Sequence, residues 1–235
     1  MPDFTYVFDR IEKKYLLSAR ELSRFLPLVE PMLTPDEFGK STVTSLYLDT
    51  PDLRIARECA DAENYREKLR IRSYGTVTDN DTVFFEIKKK IDGITYKRRE
   101  SMSLGQAEDF IFRGKKPFDS QIIRELEYAL WRYGHPLPTI LVRCEREAFY
   151  FRDYPHLRLT FDSRIRYRAE DLDPRCADQG GELLLPPDVT LMEFKTDGSA
   201  PREFSRILSE LALYPRSFSK YCVACADVIH KEIKP

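Results

Sequence analysis

Leu157-Arg158-Leu159-Thr160-Phe161-Asp162-Ser163-Arg164 alternates apolar with polar residues. A β-strand sends successive side chains to opposite faces. Leu157, Leu159 and Phe161 therefore share one face, and Arg158, Thr160, Asp162 and Arg164 the other. The pattern recurs along the chain. In Leu69-Arg70-Ile71-Arg72 the two arginines lie together, and in Val83-Phe84-Phe85-Glu86-Ile87-Lys88 Glu86 and Lys88 do. Glu193 pairs with Lys195 in Met192-Glu193-Phe194-Lys195, and Glu12 with Lys14 in Ile11-Glu12-Lys13-Lys14. Arg146 lies mid-strand, with Arg143 on the opposite face.

One such strand reads as a solvated outer face. The joint pattern reads otherwise. A wet face mixes Thr, Ser, Gln and Lys, whereas these faces repeat arginines, lysines and carboxylates. The opposite faces are rich in Phe, Ile and Leu and need cover. That predicts an inverted arrangement, with helices on a convex apolar face and charges lining a concave interior. Arg and Lys inside a tunnel suit phosphate oxygens. Without a ligand, such an interior is expected to repel itself. Carboxylates on the same face would repel phosphate and are better suited to a divalent metal such as Mg²⁺ or Mn²⁺.

The elements that carry these faces are legible. Strands are expected over 5–17, 42–49, 66–74, 82–91, 94–102, 139–151, 156–167 and 189–196. Asp92-Gly93 marks a hairpin. Helices are expected over about 19–30 and 119–133, in a short segment after Ser103, and over 201–213 and 217–231. Ser18 with Glu21 and Ser103 with Gln106 form capping boxes. Residues 170–188 read as a surface loop. The fold class is α+β: a closed antiparallel β-barrel of about eight strands, with helices packed on the outside.

The chain has 235 residues, which suits one domain over 1–235. Its charged share of 33% exceeds the usual ~25%, yet net charge is only −1. The basic residues alternate with apolar ones and form no outward stripe, so nucleic acid is not an expected partner. No apolar run approaches the ~18–20 residues of a membrane span, and MPDFTYVFDR lacks a signal-peptide core. A cytoplasmic location is expected. Five scattered cysteines give no disulfide framework, and Cys222 with Cys225 reads as a structural pair of small apolar residues. The three histidines have no metal-ligand spacing.

The motifs IEKKYLL (11–17), YLDTPDL (47–53), KLRIRSYG (68–75), FFEIKKK (84–90), YKRR (96–99), REAFY (146–150), LRLTFD (157–162), LMEFKT (191–196) and FSKYC (218–222) follow one another in order. Together they resemble the VTC domain, the polyphosphate polymerase domain of vacuolar transporter chaperone proteins, within the triphosphate tunnel metalloenzymes. The resemblance covers nearly the whole chain. It implies an eight-stranded tunnel that binds ATP or another triphosphate and polyphosphate, with a divalent metal, often Mn²⁺. By that resemblance Lys14, Arg70, Arg72, Lys88, Arg146 and Arg158 would act on the reacting phosphates. Lys97, Ser219 and Lys220 would hold phosphate, Glu12 and Glu86 would join that phosphate-binding set as inward carboxylates near the metal or pairing with the basic wall, and Glu193 would bind the metal. Tyr15 and Tyr47 match by motif but suit packing equally. Two residues before Glu12 stands Arg10, where the wider superfamily has an acid, which favours the polymerase branch over the simple triphosphatase branch. The membrane spans of fungal relatives find no counterpart, so a membrane partner would lie outside this chain. Three functions follow: a polymerase, a triphosphatase using water, and a binding module without turnover.

Overall fold

A computed structural model describes residues 11–61, 64–92, 94–176 and 180–233. The strands are β1 (Ile11–Ser18), β2 (Leu33–Asp49), β3 (Tyr65–Tyr74), β4 (Thr82–Ile91), β5 (Ile94–Ser103), β6 (Leu137–Phe151), β7 (Tyr154–Arg168), β8 (Glu182–Leu183) and β9 (Val189–Thr196). The helices are α1 (Ala19–Val29), α2 (Arg54–Asp61), α3 (Leu104–Arg113), α4 (Gln121–Arg132), α5 (Arg202–Glu210) and α6 (Lys220–Ile233). Residues 5–10 of the first expected strand lie outside the described residues, as does Gly93 of the hairpin.

Both capping boxes form. Ser18 Oγ accepts from the Glu21 amide and Ser103 Oγ from the Gln106 amide, with the reciprocal side-chain bonds present. The β4–β5 hairpin closes at Ile91 opposite Ile94, with Asp92 at φ 48°. A positive φ there matches the tight turn that Asp-Gly favours. Helix α2 was not expected. Asp49 explains it: its carboxylate accepts from the amides of Thr50, Ile55 and Ala56 at 2.7–2.9 Å, holding the start of the helix. The 170–188 loop carries a short 3-10 turn and the two-residue strand β8.

The sheet is antiparallel throughout, in the order β1-β9-β7-β6-β2-β3-β4-β5, with β8 on β7. Its long central strands break register near Pro35, Tyr47, Arg143 and Tyr150. Such bulges bend a strand and increase its twist. The sheet is curled. Lys88 on β4 donates to Glu12 on β1 at 2.7 and 2.9 Å, although five strands lie between theirs in sheet order. Only curling with the charged face inward brings them together.

The expectation of a closed barrel is corrected. Among the described residues no ladder joins β1 to β5. The backbone gives the reason: the Lys14 carbonyl at the free edge of β1 accepts from the Arg216 amide at 2.7 Å. The segment before α6 thus occupies the seam that β5 would need.

The expectation that helices pack only outside is also corrected. α3 and α4 cover the convex face of β3, β4 and β5 through Phe85, Ile87, Phe110 and Ile123. α1 and α5 cover β1, β9 and β7 through Phe25, Phe161, Phe194 and Phe204. α6 instead packs Tyr221, Ala224 and Cys225 against Tyr47, Ile140, Val142, Cys144 and Leu191. These lie on the same strand faces as Arg70, Arg146 and Glu193, so α6 sits inside the curl at one end. Apolar inward residues at that end of β2 and β6 are its physical cause. On β7, Arg164 has φ 47° at a register shift. The bulge turns Arg164 outward to Glu145 at 3.1 Å and sends Ile165 and Tyr167 inward. No helix among the described residues is long and apolar enough to cross a membrane.

Asp49 is almost wholly buried and also accepts from the Tyr221 hydroxyl, so it joins α2 to α6. Asp49→Ala is expected to lower stability by about 3 kcal/mol, because buried donors lose their partner. Urea unfolding checks this. A loss below about 1 kcal/mol would contradict the role given to Asp49.

Candidate functional site

The ladders align the inward side chains. Lys14 faces Glu193, which faces Thr160. Glu12 faces Lys195, Lys195 faces Arg158, and Arg158 faces Tyr150. Across the sheet, Arg70 faces Tyr47 and Glu86, while Lys88 faces Lys68 and Lys97. Tyr15 falls on the other face and packs in the core. Tyr47 stacks on Tyr221 with ring centroids 4.5 Å apart and accepts from Arg70 at 3.3 Å.

Each inward carboxylate is a knot of cations. Glu86, fully buried, meets Arg70 at 2.6 Å and Lys97 at 2.5 Å. Asp162, also fully buried, takes both arms of Arg146 at 2.6 Å and Lys220 at 2.5 Å. Glu193 has Lys220 at 3.2 Å, Lys195 at 3.6 Å, and Lys14 and Arg146 at 3.8 Å. Asp36 holds Arg158 at 2.6 Å, while Arg158 lies over the Tyr150 ring. The expected self-repulsion is corrected at these inner knots, where Arg70, Lys97, Arg146, Arg158 and Lys220 pair with buried acids.

The electrostatics follow from burial and these pairs. Burial pushes the Glu193 carboxyl up, but Lys220, Lys14, Lys195 and Arg146 outweigh it and hold it well below the carboxylate range. Burial raises Glu86 and Asp162 likewise, and their cations win in both. The lysines respond oppositely. Burial, only partly offset by Glu193, lowers Lys14 and Lys195 to about 8. Burial beside Arg72 and Arg70 lowers Lys97 to about 7, against the pull of Glu86.

Beside these knots, at the seam, is a cavity of about 210 Å³. Its lining includes Lys14, Arg66, Lys68, Lys88, Lys90 and Arg216, with Glu12 the one acid. Ser217, Phe218 and Ser219 roof it. Lys14 donates to the Phe218 carbonyl at 2.7 Å, and Lys68 donates to Ser219 Oγ at 2.6 Å. Lys14 also approaches Glu193, so the cavity and the inner knots share residues. Elsewhere on the inner sheet face, outside the cavity lining, Arg72 Nε, Arg158 Nε and Thr160 Oγ1 are buried without a hydrogen-bond partner. Such atoms favour an added polar ligand.

Of the residues singled out by sequence, Lys14, Lys88, Glu12 and Ser219 line the cavity. Arg70, Lys97 and Glu86 form one inner knot, and Arg146, Lys220 and Glu193 belong to the others. Arg158 stands on the row of Glu12 and Lys195. Ser219 Oγ also accepts from the Cys222 amide, capping α6. Arg66, Lys68 and Lys90 were missed, although they continue the alternation of β3 and β4. Asp162 was read as inward without a role. Arg216, in a loop, carries no sequence signal.

Among the described residues no cluster of three His, Cys, Asp or Glu side chains could hold a metal. A preassembled protein cage for a cation does not fit. Glu193 fits a different arrangement, in which a hard divalent ion takes one or two carboxylates and completes its shell with phosphate oxygens and water.

The profile of the VTC domain family matches residues 9–229. Among solved structures, a candidate adenylate cyclase from Bacillus halodurans is similar over 92% of this chain and 96% of its own, with 14% identity and a TM-score of 0.56. A protein from Pyrococcus horikoshii OT3 is similar over 93% of this chain and 99% of its own, with 15% identity and a TM-score of 0.49. At 14% identity the first likeness is one of fold. No match was found among curated protein sequences.

Two measurements test the paired interior. Arg70→Ala should cost about 3–5 kcal/mol in urea unfolding, because Glu86 stays buried with one partner fewer. Arg70→Met combined with Glu86→Leu should recover most of that loss. An unchanged Arg70→Ala would refute the pairing. Second, were tripolyphosphate to bind at the protonated Lys14 and Lys195, both lowered by burial to about 8, loss of their protons would weaken it. Affinity should then fall at least about tenfold from pH 8 to pH 9, with protons taken up on binding. Calorimetry in buffers of different ionisation enthalpy reads both, and a flat profile with no uptake would be the opposite result.

Proposed function

The chain belongs to the VTC domain family, and from that premise we propose that it is a metal-dependent polyphosphate polymerase, passing the γ-phosphoryl group of ATP to a growing phosphate chain. At the coarser level it is an enzyme acting on triphosphates. The observation that carries the reading is the seam cavity, where six basic side chains meet one carboxylate beside the inner ion-pair knots. That is the lining a polyphosphate chain needs.

The chain's residues would work mainly by position and charge. Lys14, Arg70, Arg72, Lys88, Arg146 and Arg158 hold the reacting phosphates in line and offset charge on their oxygens. Lys97, Ser219 and Lys220 support the phosphate chain from the inner knots and the roof. Glu86 orients the Arg70 guanidinium and Asp162 orients that of Arg146, so both forks are set before a ligand arrives. Glu12 holds Lys88. Glu193 would hold Mn²⁺ or Mg²⁺ together with phosphate oxygens; the chemistry such an ion supplies is neutralisation of charge on the bridging oxygen.

Phosphate is favoured over water as acceptor by a specific feature. Water needs a base, and a carboxylate held far below its usual range is a weak one. Burial raises Glu86 and Glu12, but Arg70 at the first and Lys88 at the second lead the cations that hold them down. An ionised phosphate oxygen needs no base.

Incubation with ATP and Mn²⁺ should yield chains that lengthen on a gel. Release of single phosphates alone would make the protein a triphosphatase and end the polymerase reading. Glu193→Gln should cut turnover by at least about 100-fold and leave metal-free tripolyphosphate binding within a few-fold. Absence of turnover in the wild type with any divalent ion would leave a binding module.

A further inference from the structure

The inner face changes character along β3 and β4. The inward residues of β3 run Arg66, Lys68, Arg70, Arg72 and Tyr74, and those of β4, read the opposite way, run Lys90, Lys88, Glu86 and Phe84. The period of two puts each set on one side. The seam cavity lies at the basic end, where Arg66, Lys68, Lys88 and Lys90 line it. At the other end the face turns aromatic. The Tyr74 and Phe84 rings meet edge to face, with centroids 6.0 Å apart. Arg99 on β5 shares the inward face with Lys97 and sets its guanidinium carbon 4.6 Å from the Phe84 centroid.

Core packing does not account for this end. Among the described residues, Tyr74 and Phe84 belong to none of the three apolar clusters. Tyr74 is 44% exposed, so one of its ring faces is open to a ligand. Phe84 and Arg99 are half-buried. Arg72 stands directly opposite Phe84 in the ladder, and its buried Nε has no hydrogen-bond partner. A buried donor of that kind gains from an added acceptor. The end thus offers flat stacking surfaces, with an unmet donor on the side toward the inner knots.

We propose that Tyr74, Phe84 and Arg99 form a nucleoside subsite, which stacks the base of ATP while its phosphates run along β3 and β4 toward Lys88 and the seam cavity. The inference rests on the triphosphate-binding reading of this interior, and not on polymerase chemistry. A nucleobase is flat and uncharged, and it stacks on aromatic rings and on the guanidinium plane of arginine. Four residues of β4 separate Phe84 from Lys88, a rise of about 13 Å. The sugar and phosphates would lie over that stretch, past Arg72 and Arg70. Glu86 is on the path, but Arg70 and Lys97 neutralise it. This polarity sets the γ-phosphoryl group nearest the lysine-rich cavity and the nucleoside farthest from it. Stacking reads the face of a base and not its edge, so the subsite favours a nucleotide over a bare phosphate chain without strongly choosing the base.

The test is calorimetric titration of the full chain with ATP and with tripolyphosphate, both without divalent metal so that neither is turned over. Arg99→Lys keeps the charge and removes the guanidinium plane. Tyr74→Ser removes the exposed ring. Each should weaken ATP at least about fivefold and leave tripolyphosphate within about twofold. The retained tripolyphosphate affinity also reports that the variant is folded. With the wild type, saturation-transfer NMR should show stronger transfer to the adenine protons than to those of the ribose, and Tyr74→Ser should reduce it. Equal losses for both ligands in both variants, or no loss for either ligand, would overturn the subsite and leave the triphosphate reading intact. Failure of the wild type to bind either ligand would overturn the triphosphate reading and the subsite with it.

Discussion

Asp162 ties the sheet to its last helix. Fully buried on β7, it grips Arg146 on the neighbouring strand with both oxygens and reaches Lys220 at the start of α6. A buried carboxylate is tolerable only when its partners are close and well aimed. That demand fixes the start of α6 at Lys220, while the apolar inward residues of β2 and β6 hold the rest of the helix inside the curl. From there the segment before α6 runs into the seam, where the Arg216 amide meets the free edge of β1. The open seam and its cavity depend on this anchor.

The same constraint shapes ligand binding. Around Glu193 four cations converge at 3.2–3.8 Å, none in the tight geometry of the Arg146–Asp162 pair. Loose, partly shared pairs are the ones a phosphate oxygen can replace at least expense. The tight pairs at Glu86 and Asp162 hold their arginines in place meanwhile. The interior therefore divides into fixed forks and exchangeable lysines, a division that suits the polymerase function proposed above. Lys14 and Lys195, whose proton affinity burial lowers, belong to the exchangeable group, whereas Lys97, lowered as well, stays in the tight Glu86 knot.

The edges of the sheet give a second case of one demand shaping several features. An unpaired strand edge must be paired, covered or blunted. β1 is covered by the segment at Arg216, and its inward Glu12 reaches across to Lys88. A closed barrel would have satisfied β1 and β5 with each other and left no opening. The gap instead collects Arg66, Lys68, Lys88 and Lys90 from β3 and β4 around a roof drawn from the segment before α6.

Much of this was legible in the chain itself, because strand alternation is a local property. The inward positions of Arg70, Arg146, Arg158, Glu86 and Glu193 follow from the period of two, as do Ser18 and Ser103 from helix capping. Local pattern failed wherever a bulge or a distant partner intervened. Arg164 left the inner face because a single residue with positive φ shifted the register. Helix α2 escaped notice because its cap is Asp49, whose carboxylate acts several residues ahead of it. Arg216, which lies in a loop, had no local signature. The sequence by itself determined which faces are charged, where most elements start, and the family to which the chain belongs. Tertiary structure alone decided that buried acids neutralise the inner knots, that α6 enters the curl and that the seam stays open. Each of those depends on contacts between residues distant in the chain, whose energies appear only once the sheet has curled.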